Sequence, residues 1–367
     1  MTSKERVVRA LRKESQDRVP VYMWFHPETA SILSRELEIP PSSLDFVMGN
    51  DVRQTWVANN QAMEGTVHER DGESHTDAWG IAWTRMQGFN QIGCFPFASA
   101  DSDTFAAYSY PYHHIDQLME PMGKLAGNSE GYFLGCDVSP CAFEMYWRLR
   151  GMEQSFVDMA DSPALFAAQI KKAADFALRL SEEALARFPL DWLWTGDDVA
   201  SQSGLLFNPD TWRAIVKPEL KRIFAVAKKR NIPVAYHCCG SLHPIMEDLI
   251  EIGMDVLNPV QPNCPEMDPA TLKKEFGRFI TFMGGVDTQG LLPSGTVAEV
   301  RRYTRRLIDT MTSDGGGYIL AASHTIPPET PIANIFAMYA EAGISREEIL
   351  DRASEVRNSG KTAKMEG

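Results

Sequence analysis

The 367-residue sequence lacks any run of 18 or more apolar residues, which is about the length that a membrane-spanning helix needs. Its opening segment, MTSKERVVRALRKESQDRVPV, also lacks the apolar stretch of a signal peptide. Cysteine is scarce, with 6 in the chain, and sparse cysteines without a secretion signal are usually reduced thiols. We therefore expect a cytoplasmic protein that does not bind a membrane.

Two further absences exclude common classes of protein. The chain has no long basic run and carries a net charge of −13, whereas a nucleic-acid-binding protein usually shows basic clusters. It has no G-x-G-x-x-G turn after its first predicted strand, which a dinucleotide-binding doubly wound sheet would require. An enzyme acting on small molecules agrees better with both absences.

From about residue 130 onward, short apolar runs alternate with amphipathic segments, as strands and helices do in a parallel α/β fold. The predicted strands cover residues 132–136, 191–195, 233–238, 256–260, 279–284 and 318–322. The predicted helices cover residues 163–186, 209–229, 243–252, 269–276, 297–311 and 331–342. Six β-α units of this kind predict most of a (β/α)₈ barrel.

The N-terminal part must supply the two remaining strands. Residues 19–24 are a good candidate and residues 45–52 a weaker one. Between them and the third strand lies an irregular insertion, about residues 55–128, in which the pattern predicts hairpins over 66–74 and 77–86 but no alternation of helix and strand. We expect this insertion to cover the barrel mouth as a lid that moves.

The predicted fold class is therefore α/β, a (β/α)₈ TIM barrel with an N-terminal insertion. A barrel of this size forms a single domain, which we place over residues 1–345. Residues 346–367 are predicted to be a C-terminal helix or tail that is partly disordered.

Polar residues gather where the predicted strands end, and in these barrels the C-terminal ends of the strands carry the chemistry. The sharpest pair is His237 and Cys239, because residues two apart on a strand point to the same face. Imidazole and thiolate are good zinc ligands, so this face predicts a zinc site from which Cys238 points away. The alternative is a packed histidine beside buried cysteines.

A catalytic zinc site usually has three protein ligands and an open position. We expect His324, at the end of the eighth strand, to be the third ligand, with Cys264 and Asp287 as substitutes. In the alternative, His324 is a hydrogen-bonding residue of a site without a metal.

The remaining candidates follow from the same strand ends. Of the adjacent Asp197 and Asp198 only one can face the axis, as an acid, a base or a group that orients substrate. Glu144 has the same potential, or else pairs with Arg148 or Arg150 on its own helix. The catalytic candidates are Asp198, Glu144 and Asp287. The substrate-binding candidates are Trp79, Asp197, Gln261 and Trp147, although core packing would equally explain the tryptophans.

Several segments together resemble the uroporphyrinogen decarboxylase superfamily, over nearly the whole chain from residue 2 to residue 342. They are DRVPV, TDAWG, GDDVASQSGLLFNPDTWRAIVKPELKRIF, YHCCGSL, GMDVLNPVQP, MGGVDTQGLLPSGT and GGGYILAASHTIPPETPIANI. The resemblance implies a (β/α)₈ barrel. It also implies one of two activities: a cofactor-free decarboxylase, or a zinc methyltransferase that exchanges a methyl group with a corrinoid protein.

The decarboxylase branch fits this sequence poorly. That branch grips a substrate with eight carboxylates through an arginine-bearing motif after the first strand, where this chain reads YMWFHPETASIL. Acidic residues at the strand ends would also repel such an anion. The methyltransferase branch matches through its His-x-Cys zinc motif at His237 and Cys239, but this chain has His324 where that branch has a cysteine.

The sequence thus predicts a zinc-dependent, corrinoid-dependent methyltransferase. It would move a methyl group between a small methylated substrate, or a thiol acceptor, and the cobalt of a separate corrinoid protein. The chain has no Asp-x-His-x-x-Gly corrinoid motif, so the cobamide would come with that partner. A decarboxylase of a smaller substrate is the first alternative, and a non-catalytic binding barrel the second. Either a monomer or a homodimer is compatible with the fold.

Overall fold

The computed structural model describes residues 1–60 and 68–365, of which the last six are described as backbone only. The chain divides into two units. The first unit contains residues 1–53, 131–133 and 256–367, and the second contains residues 54–130 and 134–255. No helix within these described ranges is both long and apolar enough to cross a membrane.

Twelve strands occur in the described part of the chain. They are β1 (Val52–Trp56), β2 (Ser74–Thr76), β3 (Ala82–Met86), β4 (Phe89–Cys94), β5 (Phe133–Asp137), β6 (Trp192–Gly196), β7 (Ala200–Ser201), β8 (Gly204–Leu205), β9 (Val234–His237), β10 (Val256–Val260), β11 (Thr281–Val286) and β12 (Tyr318–Ala322). Six of these strands, which pair in parallel, are fully or almost fully buried, because parallel strands are covered on both faces. They are β5, β6, β9, β10, β11 and β12.

The α-helices of the described residues alternate with these strands. They are α1 (Ser3–Leu11), α2 (Pro27–Leu37), α3 (Leu44–Met48), α4 (Ser102–Ala106), α5 (Ile115–Ala126), α6 (Phe143–Arg150), α7 (Met152–Asp161), α8 (Pro163–Arg187), α9 (Pro209–Thr211), α10 (Lys217–Lys228), α11 (Met246–Glu251), α12 (Pro269–Phe276), α13 (Leu291–Ser294), α14 (Val297–Met311), α15 (Ile332–Glu341) and α16 (Arg346–Met365). Shorter turns of 3₁₀ helix cover Pro41–Ser43, Tyr112–His114 and His243–Ile245, and a π-helical turn covers Trp212–Val216.

In the first unit, β10, β11 and β12 pair in parallel in that order. The predicted first strand is reduced to two bridges, in which Val21 and Phe25 pair in parallel with Leu320 and Ile326. The N–H of Asp51 then donates to the carbonyl oxygen of Val21 over 2.8 Å. In this unit the last strand of the chain, β12, therefore pairs with the segment where the sequence predicted the first.

In the second unit, β5, β6 and β9 pair in parallel in that order. Helices α6 to α8 connect β5 to β6, and α10 precedes β9. Each connection from one parallel strand to the next thus contains a helix, as the predicted β-α alternation requires. The six strands predicted from residue 132 onward are confirmed, with ends that differ by at most two residues.

The N-terminal region departs from the prediction in two places. The strand expected over residues 45–52 is wrong: Leu44–Met48 is a helix that ends at Gly49 with φ of 77°, and the strand β1 begins only at Val52. The insertion contains the helices α4 and α5, which the sequence pattern did not predict. Its strands β2, β3 and β4 form an antiparallel sheet. Residues 77–86, predicted to be a hairpin by themselves, are the turn after β2 and the strand β3, so the hairpins lie at β2–β3 and β3–β4 instead. The first part of the other predicted hairpin, residues 66 and 67, lies outside the described residues.

Candidate functional site

The parallel pairing of β6 with β9 brings two polar strand ends together in the second unit. Gly196 lies opposite His237 in the register, and the N–H of Asp197 donates to the carbonyl oxygen of His237 over 3.0 Å. The next residue, Asp198, accepts a hydrogen bond at Oδ1 from the N–H of Cys239 over 2.9 Å. The sheet thus joins residues that lie 41 positions apart in the chain.

Asp198, His237 and Cys239 form a trio that has the composition of a metal site. His237 Nε2 lies 3.6 Å from Cys239 Sγ and 4.0 Å from Asp198 Oδ1, and all three donor atoms lie within 4.8 Å of one another. Each of the three residues is partly exposed, so that an ion and a substrate could both reach it. We call these residues the Asp-His-Cys trio.

The spacing of the trio agrees with zinc. Zinc–sulfur and zinc–nitrogen bonds of about 2.3 and 2.0–2.1 Å, at tetrahedral angles, separate the two ligand atoms by roughly 3.6 Å, which is the distance from His237 Nε2 to Cys239 Sγ. A nitrogen–oxygen ligand pair would be separated by roughly 3.4 Å, against 4.0 Å for His237 and Asp198. Asp198 Oδ1 is therefore about 0.6 Å farther from His237 Nε2 than two ligands of one zinc ion would be, so the Asp198 side chain must move to join the other two ligands.

The loop after β9 depends on a glycine at position 240. Gly240 has φ of 95°, and a Cβ atom there would lie 2.2 Å from the carbonyl oxygen of Ser201. The neighbouring Ser241 donates its N–H to that same oxygen over 3.0 Å. Cys238 is fully buried whereas Cys239 is partly exposed, which agrees with the opposite directions that the strand phase predicts for them.

Asp197, a predicted substrate-binding residue, forms the N-terminal cap of α6. Its carboxylate accepts the N–H groups of Ala142, Phe143 and Glu144 over 3.2, 3.0 and 2.7 Å. Its side chain is fully buried. Burial raises the pKa of Asp197 to about 7, against the three amide donors that act to lower it. The structure therefore explains Asp197 as the residue that fixes α6.

Asp198 is the aspartate of the pair that lies beside the predicted zinc ligands. Burial, followed by the charge of Glu144, raises the pKa of Asp198 to about 6. Glu144 Oε2 accepts the N–H of Asp198 over 3.2 Å, and Glu144 Oε1 accepts a short hydrogen bond from Arg148. Glu144 and Arg148 form a buried ion pair across one turn of α6, which confirms the Glu144–Arg148 pairing considered from the sequence.

A further buried acid ends β5. Asp137 Oδ1 accepts the N–H of Ser139 over 2.8 Å and a short hydrogen bond from the Ser139 hydroxyl. Burial raises the pKa of Asp137 to about 8, although these hydrogen bonds act to lower it. Asp137 is 1% exposed, so its burial favours the neutral acid over the carboxylate.

The two predicted tryptophans of the substrate pocket differ in their surroundings. Trp79 is buried and packs edge-on against Phe176 at 5.9 Å between ring centroids, as a core side chain does. Trp147 is partly exposed and lies on α6 beside Arg148, whose guanidinium carbon is 5.9 Å from the Trp147 ring. Within the described residues the indole N–H of each has no hydrogen-bond partner. Their substrate-binding roles stay predictions.

The remaining predicted site residues belong to the first unit. Asp287 accepts the N–H groups of Gln289, Gly290 and Leu291, each over 2.9 Å, and so caps the short helix α13. Gln261 is buried after β10, and its carbonyl oxygen accepts the N–H of Cys264 over 3.1 Å. His324 follows β12 and is exposed. The catalytic, substrate and metal roles assigned to these residues stay predictions.

Two polar residues of the second unit had no predicted role. Asn59 follows β1 and is fully buried, and its amide oxygen accepts a hydrogen bond from Arg148 over 2.8 Å. Asp77 lies in the turn between β2 and β3 and accepts a hydrogen bond from Asn59 over 2.5 Å. Asp77 lies within the TDAWG segment, so its motif was visible in the sequence, but its contacts were not.

The chain is similar in sequence to known enzymes. Residues 132–343, more than half of the chain, match the family model described as uroporphyrinogen decarboxylase (URO-D). A uroporphyrinogen decarboxylase from Thermus thermophilus is 28% identical over 160 residues, which are 42% of this chain and 43% of the relative. A methylated-thiol–coenzyme M methyltransferase from Methanosarcina mazei is 24% identical over 198 residues, which are 53% of this chain and 49% of the relative. The chain spans less than half the length of these curated relatives.

The fold is similar to that of a solved methyltransferase from Methanosarcina mazei. The TM-score is 0.68 at 17% identity, and the match covers 94% of this chain and 98% of that chain. At this level of identity the match shows the fold alone. Together with the strand orders of the two units, it confirms the predicted α/β class and the TIM-barrel type.

Proposed function

Because the chain belongs to the uroporphyrinogen decarboxylase family, we propose that it is a methyltransferase of that family with a zinc centre at the Asp-His-Cys trio. It would move a methyl group between a small methylated compound, or a thiol, and the cobalt of a separate corrinoid protein. The observation that carries the proposal is the separation of 3.6 Å between His237 Nε2 and Cys239 Sγ. The sequence similarity to a methyltransferase of the same family supports it.

We assign His237, Cys239 and Asp198 as the ligands. The first two come from the predicted motif, and the third is the carboxylate that completes the trio in the second unit. His324 stays the sequence-based candidate for the third position. Bound zinc would supply a Lewis acid that lowers the pKa of a thiol acceptor or improves the leaving group of a methyl donor.

Asp197 and Glu144 hold the residues around the proposed zinc ligands in place. Asp197 holds the N-terminus of α6 through three amide hydrogen bonds. That helix carries Glu144, whose carboxylate accepts the Asp198 N–H. Arg148 neutralises Glu144, and zinc with one thiolate and one carboxylate ligand would carry no net charge, so the site offers no free positive charge to a polyanion and favours neutral or cationic substrates. Methoxylated aromatics and methylamines are substrates of that kind, and a role on the donor side agrees with the absence of the cysteine that the coenzyme M enzymes have at position 324.

The proposal is tested first by metal analysis. We expect one zinc per chain in the purified protein and none in His237→Ala. The reaction is then followed by cobalt absorbance, by mixing the zinc-loaded protein with cob(I)alamin and a panel of methyl donors, and with methylcobalamin and thiols. Acceleration of at least one of these reactions, lost in His237→Ala, would support methyl transfer.

A decarboxylase is the second candidate, favoured by the similarity to the enzyme of Thermus thermophilus. It needs no metal. Carbon dioxide release by metal-free protein from a carboxylated substrate, with no change in cobalt absorbance, would replace the methyltransferase proposal by this one.

A further inference from the structure

A chain of hydrogen bonds leads from the insertion to the Asp-His-Cys trio, and all of it lies in the second unit. It begins at Asp77, whose Oδ1 accepts the N–H groups of Trp79 and Ile81 over 2.8 and 3.0 Å. Asp77 Oδ2 accepts the indole N–H of Trp83 over 2.7 Å and the side-chain amide of Asn59 over 2.5 Å. Four donors fix this carboxylate in the turn between β2 and β3.

Asp77 determines which way the Asn59 amide points. An ionised carboxylate only accepts hydrogen bonds, so Asn59 must turn its NH₂ group towards Asp77. Its oxygen then accepts from Arg148 Nη1 over 2.8 Å, while Arg148 Nη2 donates to Glu144. Arg148 therefore joins the insertion to α6 with two arms of one planar guanidinium, a geometry that lysine cannot reproduce.

The last two steps reach the trio. Glu144 Oε2 accepts the N–H of Asp198 over 3.2 Å, and Asp198 Oδ1 accepts the N–H of Cys239 over 2.9 Å. The Arg148 and Glu144 side chains are only 4% and 7% exposed. Without the guanidinium, the Glu144 carboxylate would lie buried beside the acidic Asp198, and the repulsion between them would displace one of the two.

We propose that Asp77, Asn59 and Arg148 are positioning residues for the metal centre, which hold Glu144 and, through it, Asp198. This inference rests on the proposed function, because the proposed function supplies the metal centre that these residues would position. It also gives the insertion a role in the site, because the turn between β2 and β3 carries Asp77, the first residue in this series of hydrogen bonds. Groups that hydrogen-bond to a metal ligand typically change metal affinity by about 10- to 100-fold when they are mutated, and Asp77, Asn59 and Arg148 act through Glu144, which is such a group.

Arg150 offers a matched control on the same helix. It is as buried as Arg148 and pairs with Asp158 over 2.7 Å. Its Nη1 also donates to the carbonyl oxygens of Phe97 and Ala100. A purely structural role of buried arginines on α6 would therefore give the same result at both positions, whereas a positioning role would separate them.

The experiment compares Arg148→Lys, Asp77→Asn and Arg150→Lys in the full chain. Zinc affinity is measured by competition with a chelator, the site geometry by the absorption spectrum of the Co(II)-substituted protein, and folding by thermal unfolding. We expect Arg148→Lys and Asp77→Asn to lower zinc affinity by about 10- to 100-fold and to change the Co(II) spectrum. We expect Arg150→Lys to lower the melting temperature and to leave affinity and spectrum as in the wild type.

Equal zinc affinity and equal Co(II) spectra in wild type and Asp77→Asn would overturn the inference, and so would equal losses in Arg148→Lys and Arg150→Lys. Asp77→Asn is isosteric and decides the matter if Arg148→Lys does not fold. In both cases the wild type still binds zinc, so that the proposed function stands. A wild-type protein that binds neither zinc nor Co(II) would overturn both together.

Discussion

His237 Nε2 lies 3.6 Å from Cys239 Sγ, at the spacing of two ligands on one zinc ion. β9 ends at His237, and Cys239, two residues farther along, keeps the side of the backbone that an extended chain would give it. The intervening Cys238 is fully buried, with its thiol 3.3 Å from the carbonyl oxygen of Cys239. The two adjacent cysteines therefore differ in their surroundings, because Cys239 is partly exposed beside His237 whereas Cys238 is buried.

The first prediction separates those two cysteines. Cys239→Ala should lose stoichiometric zinc, because it removes a thiolate ligand, whereas Cys238→Ala should keep it and lose only some packing. Zinc content of the two purified variants is the measurement, with circular dichroism to show that each is folded. Equal zinc content in the two variants would contradict the strand-phase argument.

The second prediction identifies the third ligand. Asp198→Asn keeps an oxygen that can accept the Cys239 N–H but removes the charge that a zinc ligand supplies. We expect a loss of zinc affinity of at least about 10-fold, the lower end of what partners outside the ligands cause, and a smaller loss in His324→Ala. The opposite order, measured by chelator competition, would make His324 the third ligand, as the sequence predicts.

Much of the fold could be predicted because buried parallel strands carry continuous apolar runs, such as YILAA, which forms β12 over Tyr318–Ala322. The segment at residues 44–48 could not, since a short apolar run is compatible with either a helix or a strand. Here Gly49, in a left-handed conformation, ends a helical turn. The helix α5 was missed for another reason, because it contains Pro121 in its interior, where proline usually breaks a helix.

The site was predictable only where its residues are close in sequence. The spacing of His237 and Cys239 is a local signal, and it predicted their shared face. Because Asp197 and Asp198 are adjacent, the sequence predicted that their side chains point in different directions. It did not predict which of the two caps α6. The contact between Asn59 and Arg148 joins residues 89 positions apart, and no local pattern indicates such a pairing.

The third prediction concerns pH. Burial raises the pKa of Asp137 from its ordinary value of 3.8 to about 8, so between these pH values the folded state holds a proton that the unfolded state releases. The stability contribution of this group is therefore fully present below about pH 4 and is lost as pH rises towards 8, at up to about 1.4 kcal/mol per pH unit. Asp137→Asn, which resembles the protonated acid, should lack this loss. Urea unfolding of both proteins between pH 5 and 7.5 measures it, and parallel pH profiles would refute the assignment.

The fourth prediction uses the close approach of β6 to the predicted ligand His237. A Cβ atom at Gly196 would lie 3.0 Å from Ser139 Cβ and 3.3 Å from His237 Cβ, so that Gly196→Ala must displace one of them by a few tenths of an ångström. We expect a loss of stability of about 1–3 kcal/mol, as for other overpacked sites, together with weaker zinc binding.

Gly123→Ala is the control, because the nearest atom to its added Cβ is 3.7 Å away and α5 favours alanine over glycine. Chelator competition and urea unfolding of both variants are the measurements. Gly196→Ala could instead lose stability and still bind zinc as tightly as the wild type. His237 would then not have moved, and the prediction that packing at Gly196 affects the metal centre would be wrong.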